Sequence, residues 1–261
     1  MINHWIKYSL QVISLIAVIY INYLANALPI NGISTGDVSD MFVNKLVPAN
    51  FTFAIWGFIY LALIGYLIYY ASSLIKKRLS DLFEFEQLAP WFILSNILNG
   101  AWMFSWHHLR VGLALCLMVG FLICLGIIFH KLQQRIQLSM WPELAFESYF
   151  AWINVATVAN ASAFLVSIGW NGFGINQDYI ASLVLMILIA IGTFATIRSK
   201  SIAYPAVLAW AMFGISCKIE TSTDMYFLTI LPIIGYMIFL FIIFFFLLKD
   251  FFKTSDARSE V

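Results

Sequence analysis

From Ala49 to Tyr70 the chain runs for 22 residues without a charged side chain. As a helix rising 1.5 Å per residue, that stretch covers about 33 Å, enough to cross a bilayer core of roughly 30 Å. Seven further apolar segments bring the total to eight, near residues 8–28, 49–70, 88–106, 109–129, 144–166, 179–197, 201–217 and 225–248. Only 10% of the residues are charged and 62% are hydrophobic, whereas soluble domains carry about 25% charged residues. The chain therefore reads as an all-α integral membrane protein, a bundle of about eight transmembrane helices.

The first segment has two readings. Lys7 before an apolar run, followed by Ala25-Asn26-Ala27, is like a signal peptide with a small-residue cleavage site. Gln11, Ser14 and Asn22 dilute its apolar centre, which favours a retained helix. Orientation follows from the basic residues. With the N-terminus inside, the inner segments hold Lys7, Lys76, Lys77, Arg78, Lys131, Arg135, Arg198, Lys200, Lys249, Lys253 and Arg258; the outer loops hold only Lys45, Arg110 and Lys218. That asymmetry is the positive-inside pattern and places both termini in the cytoplasm, with a bacterial inner membrane the expected setting. A net charge of +1 points to neither a nucleic-acid partner nor a strongly anionic one. Cys116, Cys124 and Cys217 lie in apolar runs and form no metal or disulfide spacing.

Polar and aromatic side chains recur at helical spacing in three segments. In the second, Phe53, Trp56 and Tyr60 stand at i, i+3 and i+7, with Gly57 beside them. In the third, Asn96, Asn99, Trp102 and Trp106 fall within an arc of about 120°. In the fifth, Tyr149, Trp152, Ala156 and Asn160 form one stripe. A buried asparagine in lipid must bond across helices or meet a polar ligand, and both readings stay open. Trp106 also stands where an interfacial anchor would. Most connections are short, but residues 29–48 form a long external loop, suited to a lid or a mobile linker. Glu147, about one turn into the fifth segment, is a candidate proton relay, although near a helix end it could also reach the interface. His107 and His108 are adjacent, point to different faces and make a poor metal pair. No metal site is expected.

Three landmarks resemble the TspO/MBR (tryptophan-rich sensory protein / translocator protein) family. Pro48, Trp56 and Tyr60 match its proline–tryptophan–tyrosine pattern; Leu98-Asn99-Gly-Ala-Trp102 is similar to its Leu-Asn-x-x-Trp; Tyr149, Trp152, Ala156 and Asn160 follow its fifth-helix motif. Thr52, Ala54 and Ser148 depart from the family's usual residues. The resemblance covers roughly residues 5–170 and implies a five-helix bundle over 1–170. Three additional transmembrane helices over 171–250 and a polar tail over 251–261 would follow. It also implies that flat hydrophobic ligands such as porphyrins bind among the helices, beneath the loop after helix one. The ligand positions it points to are Trp56, Tyr60, Asn99, Trp102, Trp152, Ala156 and Asn160; Phe53, Trp106 and Tyr149 join them from the aromatic faces to make the expected ligand-binding set.

The expected function is a receptor or carrier for a tetrapyrrole-like ligand; the alternative is a secondary transporter of another small solute, with Glu147 coupling protons. No HExxH, GxSxG or paired-acid motif suggests an enzyme. No cofactor is expected, a porphyrin or haem-type tetrapyrrole being ligand instead. The partners are membrane lipid and a hydrophobic small molecule, with a homodimer left open.

Overall fold

A computed structural model describes residues 4–28, 30–134, 140–219 and 226–259. Arg135, and the side chains of Lys253 and Arg258, lie outside that description. The eight apolar segments are all helices: α1 His4–Ala27, α3 Ile55–Ile75, α4 Leu79–His107, α5 Val111–Gln133, α6 Met140–Ser167, α7 Gln177–Ser199, α8 Ala203–Lys218 and α9 Tyr226–Ser259. A ninth, short helix, α2 Thr35–Met41, interrupts the long loop. No strand occurs among the described residues. Among the described residues, six helices are long and apolar enough to cross a membrane. The two that fall short do so for different reasons. Helix α4 begins with Asp81, Glu84 and Glu86 and carries its amides and histidines further on, while α8 has only 16 residues, about 24 Å.

The ends of the helices follow local chemistry. Ser34 and Asp37 cap α2 reciprocally: the Ser34 hydroxyl accepts from the Asp37 amide at 3.2 Å, and the Asp37 carboxylate accepts from the Ser34 amide at 3.3 Å. Helix α3 starts later than its uncharged run suggests. Asn50–Ala54 form a 3-10 turn, and the α-helix begins only at Ile55. Phe53 therefore stands in this 3-10 turn, ahead of the α-helix that carries Trp56 and Tyr60. At the other end of the chain, α9 continues past the apolar run to Ser259; Lys249 to Ser259 contain no glycine or proline that would stop a helix.

The chain divides into two compact units. One comprises Met1–Asn44 and Ala54–Trp170. In it α4 packs against α1, α3 and α5, and α6 packs against α3 and α5. Its core is aromatic: Tyr70 stacks on Phe85 with centroids 4.2 Å apart, and Tyr66 meets Phe146 edge-on at 4.8 Å. The Tyr66 hydroxyl also donates to Gln11 of α1 at 2.8 Å, so that glutamine is fully buried yet paired.

The other unit comprises Lys45–Phe53 and Asn171–Val261, in which α7, α8 and α9 pack together. Residues 45–53 lie along α8. The Ala49 amide donates to the Gly214 carbonyl at 3.0 Å, and the Trp210 indole donates to the Thr52 carbonyl at 3.0 Å. Phe51 meets the Trp210 ring edge-on at 5.5 Å. The Thr52 hydroxyl turns back to the Ala49 carbonyl, and the side chain is fully buried. A Cβ at Gly214 would overlap it, with Thr52 Cβ only 3.1 Å away. Gly214→Val should therefore overpack this seat and destabilise the protein by about 2 kcal/mol. Thermal unfolding in detergent micelles measures it, and an unchanged midpoint would show that the segment yields freely.

Candidate functional site: an aromatic and amide cluster in the five-helix unit

Helices α3, α4 and α6 bring most of the sequence-selected residues into two aromatic groups within the first unit. Trp56 and Tyr60, one turn apart on α3, stack with centroids 5.7 Å apart and planes 25° from parallel. Tyr149 and Trp152 of α6 meet Trp56 edge-on, at 5.7 Å and 6.4 Å. Phe121 of α5 closes on Tyr149 from another side at 5.1 Å. These edge-to-face contacts present ring hydrogens to π-faces, the favoured geometry for aromatic pairs. Tyr149 and Trp152 are buried, but Trp56 and Tyr60 keep part of their surface open. Beside them, a Cβ on Gly57 would meet nothing within 4 Å. The stacked pair is thus the accessible face of the first group.

The second group is Trp102 and Trp106, stacked on α4 at 5.9 Å and 20°. The Trp102 indole donates to Asn160 Oδ1 on α6 at 3.0 Å, while the Asn160 amide donates to the Ala156 carbonyl at 3.0 Å. Ala156 serves through its backbone and is half-buried. Trp106 is 4% exposed and is no interfacial anchor. Its indole donates to the Thr35 carbonyl of α2 at 3.3 Å, and Phe42 lies 6.1 Å from its ring. Asn31 donates to the His107 carbonyl at 3.0 Å, and the Thr35 hydroxyl sits 3.3 Å from His107 Nε2. The long loop is thus a folded cover, held on the C-terminal end of α4 by polar contacts.

The amides form the third layer, and they run between helices. Asn96 donates to Ser14 of α1 at 3.0 Å. Asn99 accepts from Asn22 of α1 at 3.2 Å and donates to the Tyr149 hydroxyl of α6 at 2.7 Å. Asn99 and Tyr149 are completely buried. The Tyr60 hydroxyl is also buried and bears on Asn99 without a well-formed hydrogen bond. Of the two readings open for these asparagines, bonding across helices is the one realised. Asn22, Thr35 and Gln11 complete the polar network but were not among the selected residues; Ser34-x-x-Asp37 was the overlooked signal for α2, and Asn22 forms no stripe with the other polar residues of its segment.

Glu147 lies apart from the aromatic groups. It is fully buried rather than extended to the interface, and its carboxylate accepts from Gln133 of α5 at 3.0 Å. Phe53 belongs to the other unit. That unit has a concavity of its own, about 310 Å³, between α8 and α9, with Trp210, Phe213 and Tyr236 on its walls. Among the described residues no group of three or more His, Cys, Asp or Glu side chains could hold a metal ion.

No curated protein and no solved structure matches the chain. A family model described as TSPO-like protein matches residues 8–248, continuing through the three helices beyond the motifs in α3, α4 and α6. Nearly the whole run of membrane helices is therefore shared, and the chain belongs to the TSPO-like protein family.

Proposed function

We propose that the protein is a non-enzymatic membrane receptor or carrier that takes a flat hydrophobic ligand, tetrapyrrole-like in shape, on the aromatic site of its five-helix unit. The observation that carries this reading is the Trp56–Tyr60 stack, partly open, with space beside Gly57 and edge-on walls from Tyr149 and Trp152. Such a face offers dispersion and stacking to a planar macrocycle with few polar demands. Family membership supports a ligand-binding membrane protein in general terms. The expected setting is a bacterial inner membrane with both termini cytoplasmic, on the strength of the basic residues alone.

Titration of the purified protein with protoporphyrin IX, followed by tryptophan quenching, tests the reading. Saturable quenching at micromolar ligand is expected, with a loss of about tenfold in affinity for Trp56→Ala. Quenching that never saturates would sink it.

A second reading, proton-coupled transport of a small solute, is favoured by the complete burial of Glu147. Buried carboxylates at membrane depth are costly and mark proton paths more often than structure alone requires. In proteoliposomes, Glu147→Gln should abolish the pH dependence of uptake. Uptake with an unaltered pH profile would exclude Glu147 as the coupling group.

A further inference from the structure

The hydrogen bonds around Asn99 have a direction that can be assigned from one backbone atom. Asn22 Nδ2 lies 2.9 Å from the Val18 carbonyl and 3.2 Å from Asn99 Oδ1. A carbonyl only accepts, so the Asn22 atom facing Val18 must be the amide nitrogen. That nitrogen has one further proton, and the Asn99 atom receiving it must be the oxygen. The Asn99 nitrogen is thereby turned toward Tyr149, whose hydroxyl oxygen accepts at 2.7 Å. Donation runs one way, from α1 through α4 to α6.

A tyrosine hydroxyl that accepts still has its own proton to give. Among the described residues no acceptor takes the Tyr149 proton, and the buried Tyr60 hydroxyl, close to the same amide, has no hydrogen-bond partner. Both hydroxyls belong to rings that contact Trp56. A buried donor without an acceptor is costly, so a site built this way favours a ligand that supplies one.

We propose that Asn22, a residue remote from the aromatic face, sets the polarity of this chain, and that Tyr60 and Tyr149 select ligands carrying a hydrogen-bond acceptor, a carbonyl or carboxylate oxygen, at the edge of a flat apolar body. Asn22 is a positioning residue; the two tyrosines make the contact. The proposal rests on the aromatic site being the ligand site and goes further by naming the chemistry of the ligand's edge.

Two probes that share one flat macrocycle test it: protoporphyrin IX, which has carboxylates, and etioporphyrin, whose substituents are all alkyl. The wild-type protein should bind protoporphyrin at least tenfold more tightly. Tyr149→Phe and Asn22→Leu should each bring that ratio to within about twofold of unity, by weakening protoporphyrin binding far more than etioporphyrin binding. A merely structural role for Asn22 would weaken both probes alike. Equal binding of the two probes by the wild type overturns the acceptor preference and leaves the receptor reading intact, as does a ratio that survives both substitutions. Binding of neither probe overturns the receptor reading and this proposal with it. If Asn22→Leu fails to fold, Tyr149→Phe decides the matter alone.

Discussion

Trp102→Ala is expected to weaken protoporphyrin binding by at least tenfold and to destabilise the protein by about 3 kcal/mol, within the range for removing a buried tryptophan. The two losses have separate causes. The indole fills buried volume between Trp106 and α6, and its N–H holds Asn160 at 3.0 Å. Without the ring, Trp106 loses its stacking partner, and Trp106 is the residue that the cover grips through Thr35. Trp102→Phe separates volume from hydrogen bonding. It keeps an aromatic ring but leaves Asn160 Oδ1 without its donor, so it should cost about 1 kcal/mol, typical of one interhelical hydrogen bond in a membrane. Chemical unfolding in mixed micelles gives the stabilities, and fluorescence titration gives the affinities. Equal affinities in wild type and both variants would remove Trp102 from the site and leave it a packing residue.

The second large effect is expected at Asn99. Its amide joins α1 to α6 through Asn22 and Tyr149, and nothing near it is solvent. Asn99→Leu removes both bonds and leaves two buried partners unsatisfied, so a loss of roughly 2 kcal/mol is expected. Non-additivity provides the sharper check. With Asn99 already leucine, Tyr149→Phe should cost almost nothing further, because the bond it would break is gone. Full additivity of the two substitutions would mean that Asn99 and Tyr149 do not act through one another.

The helices were legible in the sequence because lipid imposes long uncharged runs, and all eight of those runs are helical. The grouping of Asn99, Trp102, Tyr149, Trp152 and Asn160 was legible for a related reason: each set keeps one face within a single uninterrupted helix. Phe53 meets that condition only in part, because it stands in the 3-10 turn before Ile55. Helical spacing was extended back past Ile55 into a 3-10 turn, and apolar composition carries no mark of where a helix starts when its first turn lacks a side-chain cap. Asn22 was hidden for the opposite reason. An amide that shares no helical stripe with its neighbours has no pattern of its own, and its significance comes from Asn99, 77 positions away. The anchor alternative for Trp106 falls because α2 covers it, and Ser34 and Asp37 were already spaced to cap a helix there.

The strap formed by residues 45–53 has a bearing on how the protein is made. The Thr52 carbonyl is bonded by Trp210, 158 positions later. At translation rates of about 5–20 residues per second, that donor follows its acceptor by roughly 10–30 s. Throughout that interval the Ala49 amide and the Thr52 carbonyl lack their native partners on α8, near a membrane that supplies little water to replace them. A nascent chain halted after Trp170 would hold every helix of the five-helix unit and still present this open strand of backbone.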